Sequence, residues 1–196
     1  MIGSHNTYTY LKSDTDIYNH NTKFWRCQDC NISKQYQMGV RYFDIRVFRT
    51  KNKYGKDVWQ AAHGLVNLEK QWLSIKSICN MFKNTYKNSK FRLVLEKGDE
   101  EDEKIFKEES LKNVNTCPSL ISVIIKKPWT VLYNRENLIF HDYSYEEWKF
   151  TDIIQNLTNF PIKENAAKVN PTITKEMLES SNEVWFMDYV CGVINY

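Results

Sequence analysis

Two histidines, an arginine and several carboxylates along this chain are the residue types that acid–base chemistry on a phosphodiester requires. The histidines are His5, in MIGSHNTYTYL, and His63, in VWQAAHG, and the arginine is Arg46, in GVRYFDIRVF. One imidazole can remove a proton from the attacking oxygen while the other protonates the leaving oxygen. A guanidinium offers forked donors that offset the growing charge on phosphoryl oxygens. Together these residues favour cleavage of a phosphodiester.

Each of these residues also has a structural explanation when it is taken alone. His63 could be a core histidine with satisfied hydrogen bonds, and Glu96 could lie at a solvated strand end. Asp44 and Arg46 could form no more than a buried ion pair. Asp188, on the apolar stretch EVWFMDYV, is harder to explain in this way because an isolated buried carboxylate needs a partner. We interpret the set jointly as one site.

The clearest predicted strand is residues 39–48, because β-branched and aromatic residues dominate it and its pattern has period two. Such a strand has two distinct faces. One face carries Tyr42, Asp44 and Arg46, and the other carries Phe43, Ile45 and Val47. Two opposite charges on a largely apolar strand are costly unless they line a cavity, so this strand indicates a site.

The remaining elements are predicted from the spacing of apolar residues. A helix is predicted at 67–87, an acidic helix in EEDEKIFKEESLKNV and another helix near 172–180. Strands are predicted in VWQAAHG, FRLVLEKGD, SLISVIIKK, WTVLYN, NLIFHDYS and EVWFMDYV. In NLIFHDYS, the pair His141-Asp142 could reach the rim of a pocket.

Strands that alternate with helices favour a parallel sheet with helical crossovers. In an α/β barrel the chemistry collects at the C-terminal ends of the strands. The polar residues near the ends of successive apolar runs are His5, Asp44, Arg46, His63, Glu96 and Asp188. We therefore expect them to share one site.

Bulk properties narrow the class of protein. The chain has 196 residues, 42% hydrophobic and 14% aromatic, which predicts a single globular domain over 1–196 rather than a disordered chain. A net charge of +3 is too small to indicate nucleic-acid binding, and no apolar run approaches the roughly 18 residues of a membrane span. The start lacks the features of a signal peptide. We therefore expect a cytoplasmic protein.

The five cysteines form an odd set, which fits reduced thiols better than a disulfide framework. Cys27 and Cys30 form a CxxC that could be half of a zinc site or a redox pair. No second CxxC accompanies it, so the signal for zinc or redox chemistry is weak.

The order GSHNTYTY, GVRYFDIRVF, AAHG resembles the catalytic X region of phosphatidylinositol-specific phospholipase C. The spacing is similar to that of the family's first three strands. FRLVLEKGD resembles its fourth strand and VWFMDYV its last. The likeness spans nearly the whole chain, with 110–182 only loosely covered. It implies an α/β fold, a compact or incomplete TIM barrel.

The resemblance also implies a role for each matching residue. His5 would be the general base, Asp188 the carboxylate that orients it, and His63 the general acid. Arg46 would activate the phosphate, and Asp44 would be a carboxylate of the site. The implied reaction begins with attack of the inositol 2-hydroxyl on phosphorus and releases diacylglycerol and a cyclic inositol phosphate. The residues expected to bind substrate are Asn6, Glu96 and Lys97.

Asn6 follows His5 where bacterial members of the family have an aspartate that supports the second histidine. Asparagine there is the eukaryotic pattern, in which Asn6, Asp44 and Glu96 would bind Ca²⁺ through hard oxygen donors. Arg46 stands where the eukaryotic site has a second acid. A fixed cation there would repel a metal while doing much of its electrostatic work. We therefore expect no metal or other cofactor, with Ca²⁺ as the alternative.

Chain length limits how complete the barrel can be. A (β/α)₈ barrel typically needs about 250 residues, with roughly 200 as the lower bound. With 196 residues, we expect trimmed loops or a missing element, and we expect the loss within 145–182.

Three functions are compatible with these observations. The leading hypothesis is a metal-independent phosphoric diester hydrolase that cleaves a phosphoinositide or related phospholipid at a membrane surface. One alternative is a metal-dependent glycerophosphodiesterase-like enzyme in which Glu96 and Asp44 bind Ca²⁺ or Mg²⁺. The other is a non-catalytic phosphoinositide-binding module on the same fold.

Overall fold

The computed structural model describes residues 1–142 and 162–192, which form a curled sheet with helices packed against it. The strands are β1 (Ile2–Ser4), β2 (Tyr42–Lys51), β3 (Asp57–His63), β4 (Val66–Trp72), β5 (Lys90–Leu95), β6 (Leu120–Ile125), β7 (Thr130–Asn134), β8 (Ile139–Asp142) and β9 (Glu183–Met187). The α-helices in these ranges are α1 (Asp16–Asn19), α2 (Ile32–Gln37), α3 (Ile75–Asn84), α4 (Glu100–Asn113), α5 (Ile162–Val169) and α6 (Lys175–Glu179). None of these helices is both long and apolar enough to cross a bilayer.

The sheet follows the order β7-β6-β5-β2-β1-β9-β8, and β3 pairs with β2 and β4. The strands β6, β5, β2, β1, β9 and β8 run parallel to one another. Their carboxyl ends therefore meet at one edge of the sheet, where α/β barrels carry their chemistry. The curled sheet is an incomplete barrel of the TIM type, which confirms the predicted fold class. Of the range 145–182, in which the loss was expected, residues 145–161 lie outside the described residues.

Strand β2 carries both core and site residues. Phe43, Ile45 and Val47 have no exposed surface and belong to the main hydrophobic core. Asp44 and Arg46 are bonded to each other on the opposite face. The predicted division of this strand into an apolar and a charged face is confirmed.

The sheet is mixed, which corrects the expectation of a parallel sheet. Strands β3, β4 and β7 run antiparallel to their neighbours. Parallel neighbours need a crossover of a dozen or more residues, whereas β3 and β4 are joined only by Gly64 and Leu65. Gly64 has φ +58°, a conformation that suits glycine in such a turn.

The predicted helix at 67–87 starts too early. Residues 67–72 belong to β4, and α3 begins only after Ser74. The Ser74 side chain accepts a hydrogen bond from the backbone N–H three residues on, which caps the helix. Ile75 and Phe82 are buried on α3, at a spacing that fits one face of a helix. The apolar spacing was therefore right for α3, and the cap was the signal for its true start.

The helix predicted near 172–180 is confirmed by α6.

Cys30 and Cys191 form a disulfide across a sequence separation of 161, so the expectation of reduced thiols is wrong for this pair. The free cysteines of the described residues are Cys27, Cys79 and Cys117, all of them buried. Because β1 pairs with β9, the segment after β1 and the turn after β9 lie side by side. A cysteine count cannot reveal a bridge that depends on this pairing.

Gly3 is a point of close approach between β1 and β9. A β-carbon built there would lie 2.5 Å from Cδ1 of Phe186. We predict that Gly3→Ala lowers the free energy of unfolding by about 1–3 kcal/mol because the aromatic ring must move. Urea denaturation measures the change. Gly192→Ala, where a β-carbon meets nothing within 4 Å, is the control, with an expected change under about 0.5 kcal/mol. Equal effects of the two substitutions would contradict this account.

Candidate active site

The parallel strands bring most of the predicted residues to one edge of the sheet. These are His5 after β1, Asp44 and Arg46 on β2, Glu96 after β5 and Asp188 after β9; His63 joins them from the end of the antiparallel strand β3. The ring centroids of the two histidines are 6.5 Å apart. Residues that are far apart in the sequence therefore share one edge of the sheet.

His5 and Asp188 form the most direct pair in the site. Nδ1 of His5 lies 2.7 Å from Oδ1 of Asp188. Since a carboxylate only accepts hydrogen bonds, Nδ1 carries the proton. Nε2 then has a lone pair, which accepts from Nη2 of Arg46 at 2.9 Å and from Nδ2 of Asn6 at 3.2 Å. This arrangement fixes the tautomer that leaves Nε2 free to act as a base.

Asp44 is a fully buried carboxylate held by arginines. Its Oδ2 accepts from Nε of Arg46 at 2.8 Å and from the backbone N–H of Asn6 at 3.0 Å. Its Oδ1 accepts from Nε of Arg92 at 2.9 Å. Burial alone would raise the pKa of Asp44, but Arg46 and Arg92 hold that pKa far below its usual range. The group is therefore a fixed negative charge.

Arg46 is held as a fixed cation by the acids around it. Burial would lower its pKa, but Asp44, Glu96 and Asp142 raise the pKa further above its usual range. Its Nη1 lies 3.5 Å from Oε2 of Glu96, and its Nη2 lies 3.9 Å from Oδ2 of Asp142. The guanidinium therefore lies among Asp44, Glu96 and Asp142, and its Nη2 donates to the His5 ring.

Arg92, on β5, is the site residue that the sequence analysis missed most clearly. It is fully buried, and its guanidinium lies 3.9 Å from the centroid of the Phe186 ring. Besides Asp44 it donates to Asp142. The sequence did contain a signal for Arg92, since this cation lies within the apolar run FRLVLEKGD. A buried arginine needs a buried acid as its partner, so the run indicated a charged pair in the interior. Asp142 does reach the site, whereas the His141 ring stacks on Trp185.

His63 is oriented by the backbone. Its Nδ1 donates to the carbonyl oxygen of Trp25 at 2.6 Å, so a backbone carbonyl orients the ring. Burial lowers the pKa of His63 to about 4, although Glu96 acts in the opposite direction. The ring is therefore neutral at pH 7, and Nε2 is the atom that could exchange a proton with a ligand.

Glu96 is buried between a turn and two cations. Oε1 accepts from the backbone N–H of Gly64 at 2.6 Å and from Lys126, and Oε2 faces Arg46. Burial would raise the pKa of Glu96, but Arg46 and Lys126 lower it below its usual range. Lys97, predicted with Glu96, instead donates to the side chain of Asn67 outside this cluster. Lys126 is a second residue that sequence reasoning missed.

Asn6, Asp44 and Glu96 do not fit a calcium site. Asp44 already accepts from two arginines, and Glu96 accepts from Lys126 and Arg46. Calcium needs six to eight oxygen ligands with lone pairs available to it. The cations around these carboxylates would repel a divalent ion.

A second donor set consists of His5, Cys27 and Asp188, whose ligand atoms lie within 4.8 Å of one another. His5 and Asp188 are already bonded to each other. Burial raises the pKa of the Cys27 thiol well above its usual range, and the thiolate is the form that binds metal. This set therefore does not fit a resident metal either.

Sequence comparison and fold comparison give different results. No protein-family model and no curated protein matches the chain. The structure of phosphatidylinositol-specific phospholipase C from Listeria monocytogenes is similar, with a TM-score of 0.59 and 17% identity over 99% of this chain and 91% of that one.

Structures of phosphatidylinositol-specific phospholipase C from Staphylococcus aureus match as well. One that concerns modulation of its membrane binding has a TM-score of 0.55 and 16% identity, over 96% of this chain and 85% of that one. A double mutant has a TM-score of 0.56 and 16% identity, over 96% and 84%. The chain therefore has the fold of bacterial phosphatidylinositol-specific phospholipase C, as its motifs predicted.

The pKa of His63 makes stability depend on pH. Between its ordinary value of 6.5 and about 4, the unfolded chain binds a proton at this histidine that the folded chain does not. Stability therefore falls as pH falls through this window. We predict that wild type loses up to about 3 kcal/mol more than His63→Gln between pH 6.5 and 4. Urea denaturation across this range measures the difference, and parallel curves for the two proteins would contradict the buried neutral state.

Proposed function

We propose that this protein is a phosphoric diester hydrolase of the phosphatidylinositol-specific phospholipase C type, which cleaves a phosphoinositide into diacylglycerol and a cyclic inositol phosphate. The observation that carries the proposal is the His5 ring, with Asp188 on Nδ1 and the Arg46 guanidinium beside Nε2. This geometry puts a base next to a phosphate-binding cation. The fold of the bacterial structures supports the same reaction class.

His5 would act as the general base on the inositol 2-hydroxyl. Its Nε2 takes the hydroxyl proton as the oxygen attacks phosphorus. Asp188, 2.7 Å from Nδ1, holds the tautomer and stabilises the imidazolium that forms. The pair is therefore suited to take up the proton of the 2-hydroxyl and to return it to the same 2-oxygen when water opens the cyclic product, while His63 takes the proton of that water.

Arg46 would bind the phosphoryl group. In the free protein its Nη2 donates to Nε2 of His5, and an entering phosphodiester would replace that contact with a phosphoryl oxygen. The guanidinium would then neutralise charge that grows on this oxygen in the transition state. Because Asp44 fixes Nε, the other donors stay aimed at the site without reorganisation.

His63 would protonate the departing diacylglycerol oxygen. Its Nδ1 is bound to Trp25, so Nε2 is the donor atom. The ring is neutral in the free protein because its pKa is about 4, and the phosphodiester anion would raise that pKa as it binds. Substrate binding would therefore favour the protonated form of His63, which is the form that can act as the general acid.

We predict that His5→Ala lowers kcat/KM for phosphatidylinositol by about 10²–10⁴-fold, because the general base is lost. Release of cyclic inositol phosphate measures the rate. His20→Ala is the matched control, since His20 is exposed and bonded only to local backbone. Unchanged turnover in His5→Ala would overturn the mechanism.

The same assay with a chelator separates the alternatives. Arg46 and Lys126 occupy the carboxylates that a metal would need, so we predict full activity in EGTA or EDTA. Loss of activity would favour the metal-dependent glycerophosphodiesterase-like alternative. Binding of inositol phosphate without any turnover would favour the non-catalytic module.

We further propose that the rim of the site contacts an anionic phospholipid surface. Leu65 is 79% exposed and Trp129 is 47% exposed. Leu65 follows Gly64, whose backbone N–H donates to Oε1 of Glu96, and Trp129 follows the segment of Lys126, which donates to the same oxygen. Lys97 and Lys127 add positive charge beside them. Apolar side chains among cations suit a surface with anionic headgroups over an acyl layer.

We predict that Leu65→Ser weakens binding to vesicles containing anionic phospholipid by about tenfold, since a buried leucine contributes about 1.5–3 kcal/mol. Co-sedimentation measures the bound fraction. Leu73→Ser is the matched control, because Leu73 is 69% exposed but lies between β4 and α3. Equal loss in both variants, or none in Leu65→Ser, would contradict the proposed contact.

A further inference from the structure

Gln28 is a fully buried residue that has no role in the proposed reaction. Its Nε2 donates to the carbonyl oxygen of His5 at 2.9 Å and to that of Met187 at 2.8 Å. Its Oε1 accepts from the backbone N–H of Val190 at 3.1 Å. Both amide hydrogens and the oxygen are therefore satisfied. All three partners lie on the backbone that carries His5 and Asp188.

The position of Gln28 matters because the ladder between β1 and β9 ends at this pair of residues. The backbone N–H of His5 donates to Met187 at 3.0 Å, which is the last bond of the ladder. A further parallel bond would run from the N–H of Tyr189 to the carbonyl of His5. Tyr189 has φ +50°, and its N–H donates instead to the carbonyl of Cys27. The Gln28 amide supplies the partner that the His5 carbonyl would otherwise lack.

We propose that Gln28 is a positioning residue that holds His5 and Asp188 at hydrogen-bond distance where the strand ladder no longer does so. This inference rests on the proposed function. During the reaction Arg46 would leave Nε2 of His5 for the phosphate, so the orientation of the ring would depend chiefly on Asp188, with the longer contact from Asn6 at 3.2 Å beside it. A fixed distance between the two backbones then becomes necessary, because a 1 Å error in such a site can cost about 10²-fold in rate.

Asn170 supports the same backbone from the other side. Its Nδ2 donates to the carbonyl oxygen of Asp188 at 3.0 Å. Gln28 bonds to Met187, which precedes Asp188, and to Val190, two residues after Asp188. It does not bond to Asp188 itself. The carboxylate is thus fixed through backbone contacts, while its oxygen remains available to His5.

Gln35 provides a matched control within the same region. It is fully buried, like Gln28, and its Nε2 donates to two backbone carbonyls, those of Thr7 at 3.2 Å and Cys30 at 2.8 Å. Neither carbonyl is that of His5 or Met187, to which Gln28 donates. Gln35→Glu therefore removes the same kind of donors from two other backbone carbonyls, and Oε1 of Gln35, unlike that of Gln28, has no hydrogen-bond partner among the described residues.

The kinetic test compares Gln28→Glu with Gln35→Glu. The glutamate keeps the shape and the acceptor oxygen but loses both donors. We expect Gln28→Glu to lower kcat by about 10²-fold with KM within about twofold, because ground-state contacts to substrate are unchanged. Gln35→Glu should keep kcat within about twofold of wild type. Equal loss of kcat in both variants, or none in Gln28→Glu, overturns the proposal.

A spectroscopic test does not depend on turnover. The Nδ1 proton of His5, bound to Asp188, should give a downfield proton resonance that is assigned by its absence in His5→Ala. We expect this resonance to move upfield or vanish in Gln28→Glu and to persist in Gln35→Glu. An unchanged resonance in Gln28→Glu overturns the positioning role. Absence of turnover by wild type with the expected spectral change would overturn the proposed reaction alone.

Discussion

The shared carboxylate of Asp44 is the interaction on which the rest of the site depends. Its two oxygens bind Arg46 and Arg92, and each arginine reaches a further acid, Glu96 or Asp142. Buried charges are tolerated only when they are paired and hydrogen-bonded. Because every member of this chain of charges is held by its neighbours, the guanidinium beside His5 keeps one position without help from solvent. A preorganised cation of this kind is what stabilises developing charge on a phosphate.

The sequence predicted those parts of the site that lie in local motifs. The two faces of β2, the placement of His5 and Asp188 near the ends of strands, and the fold class all follow from the patterning of apolar residues and from motif order. Arg92 and Lys126 were missed because their importance depends on which strands are adjacent. The Trp25 carbonyl that orients His63 could not be predicted either. Because every residue has a backbone carbonyl, the residue types in a sequence do not indicate which carbonyl will orient a given side chain.

The errors have the same physical origin. The start of α3 was misplaced because β4 has apolar residues at spacings that also fit a helix, and only the Ser74 cap separates them. The Cys30–Cys191 bridge was missed because it joins segments that only the pairing of β1 with β9 brings together. With one pair of cysteines bridged, the odd cysteine count no longer argues for a reducing compartment.

The pairing of β1 with β9 also has a consequence for synthesis of the protein. His5 is separated from Asp188 by 183 positions, and β1 lies between β2 and β9 in the sheet. A growing chain on the ribosome therefore contains His5 long before it contains Asp188, the residue to which the His5 ring is bonded. Contacts between residues so distant in sequence form slowly because a long loop must first close. The competent pair thus arises only after translation of β9, so a nascent or prematurely ended chain lacks it.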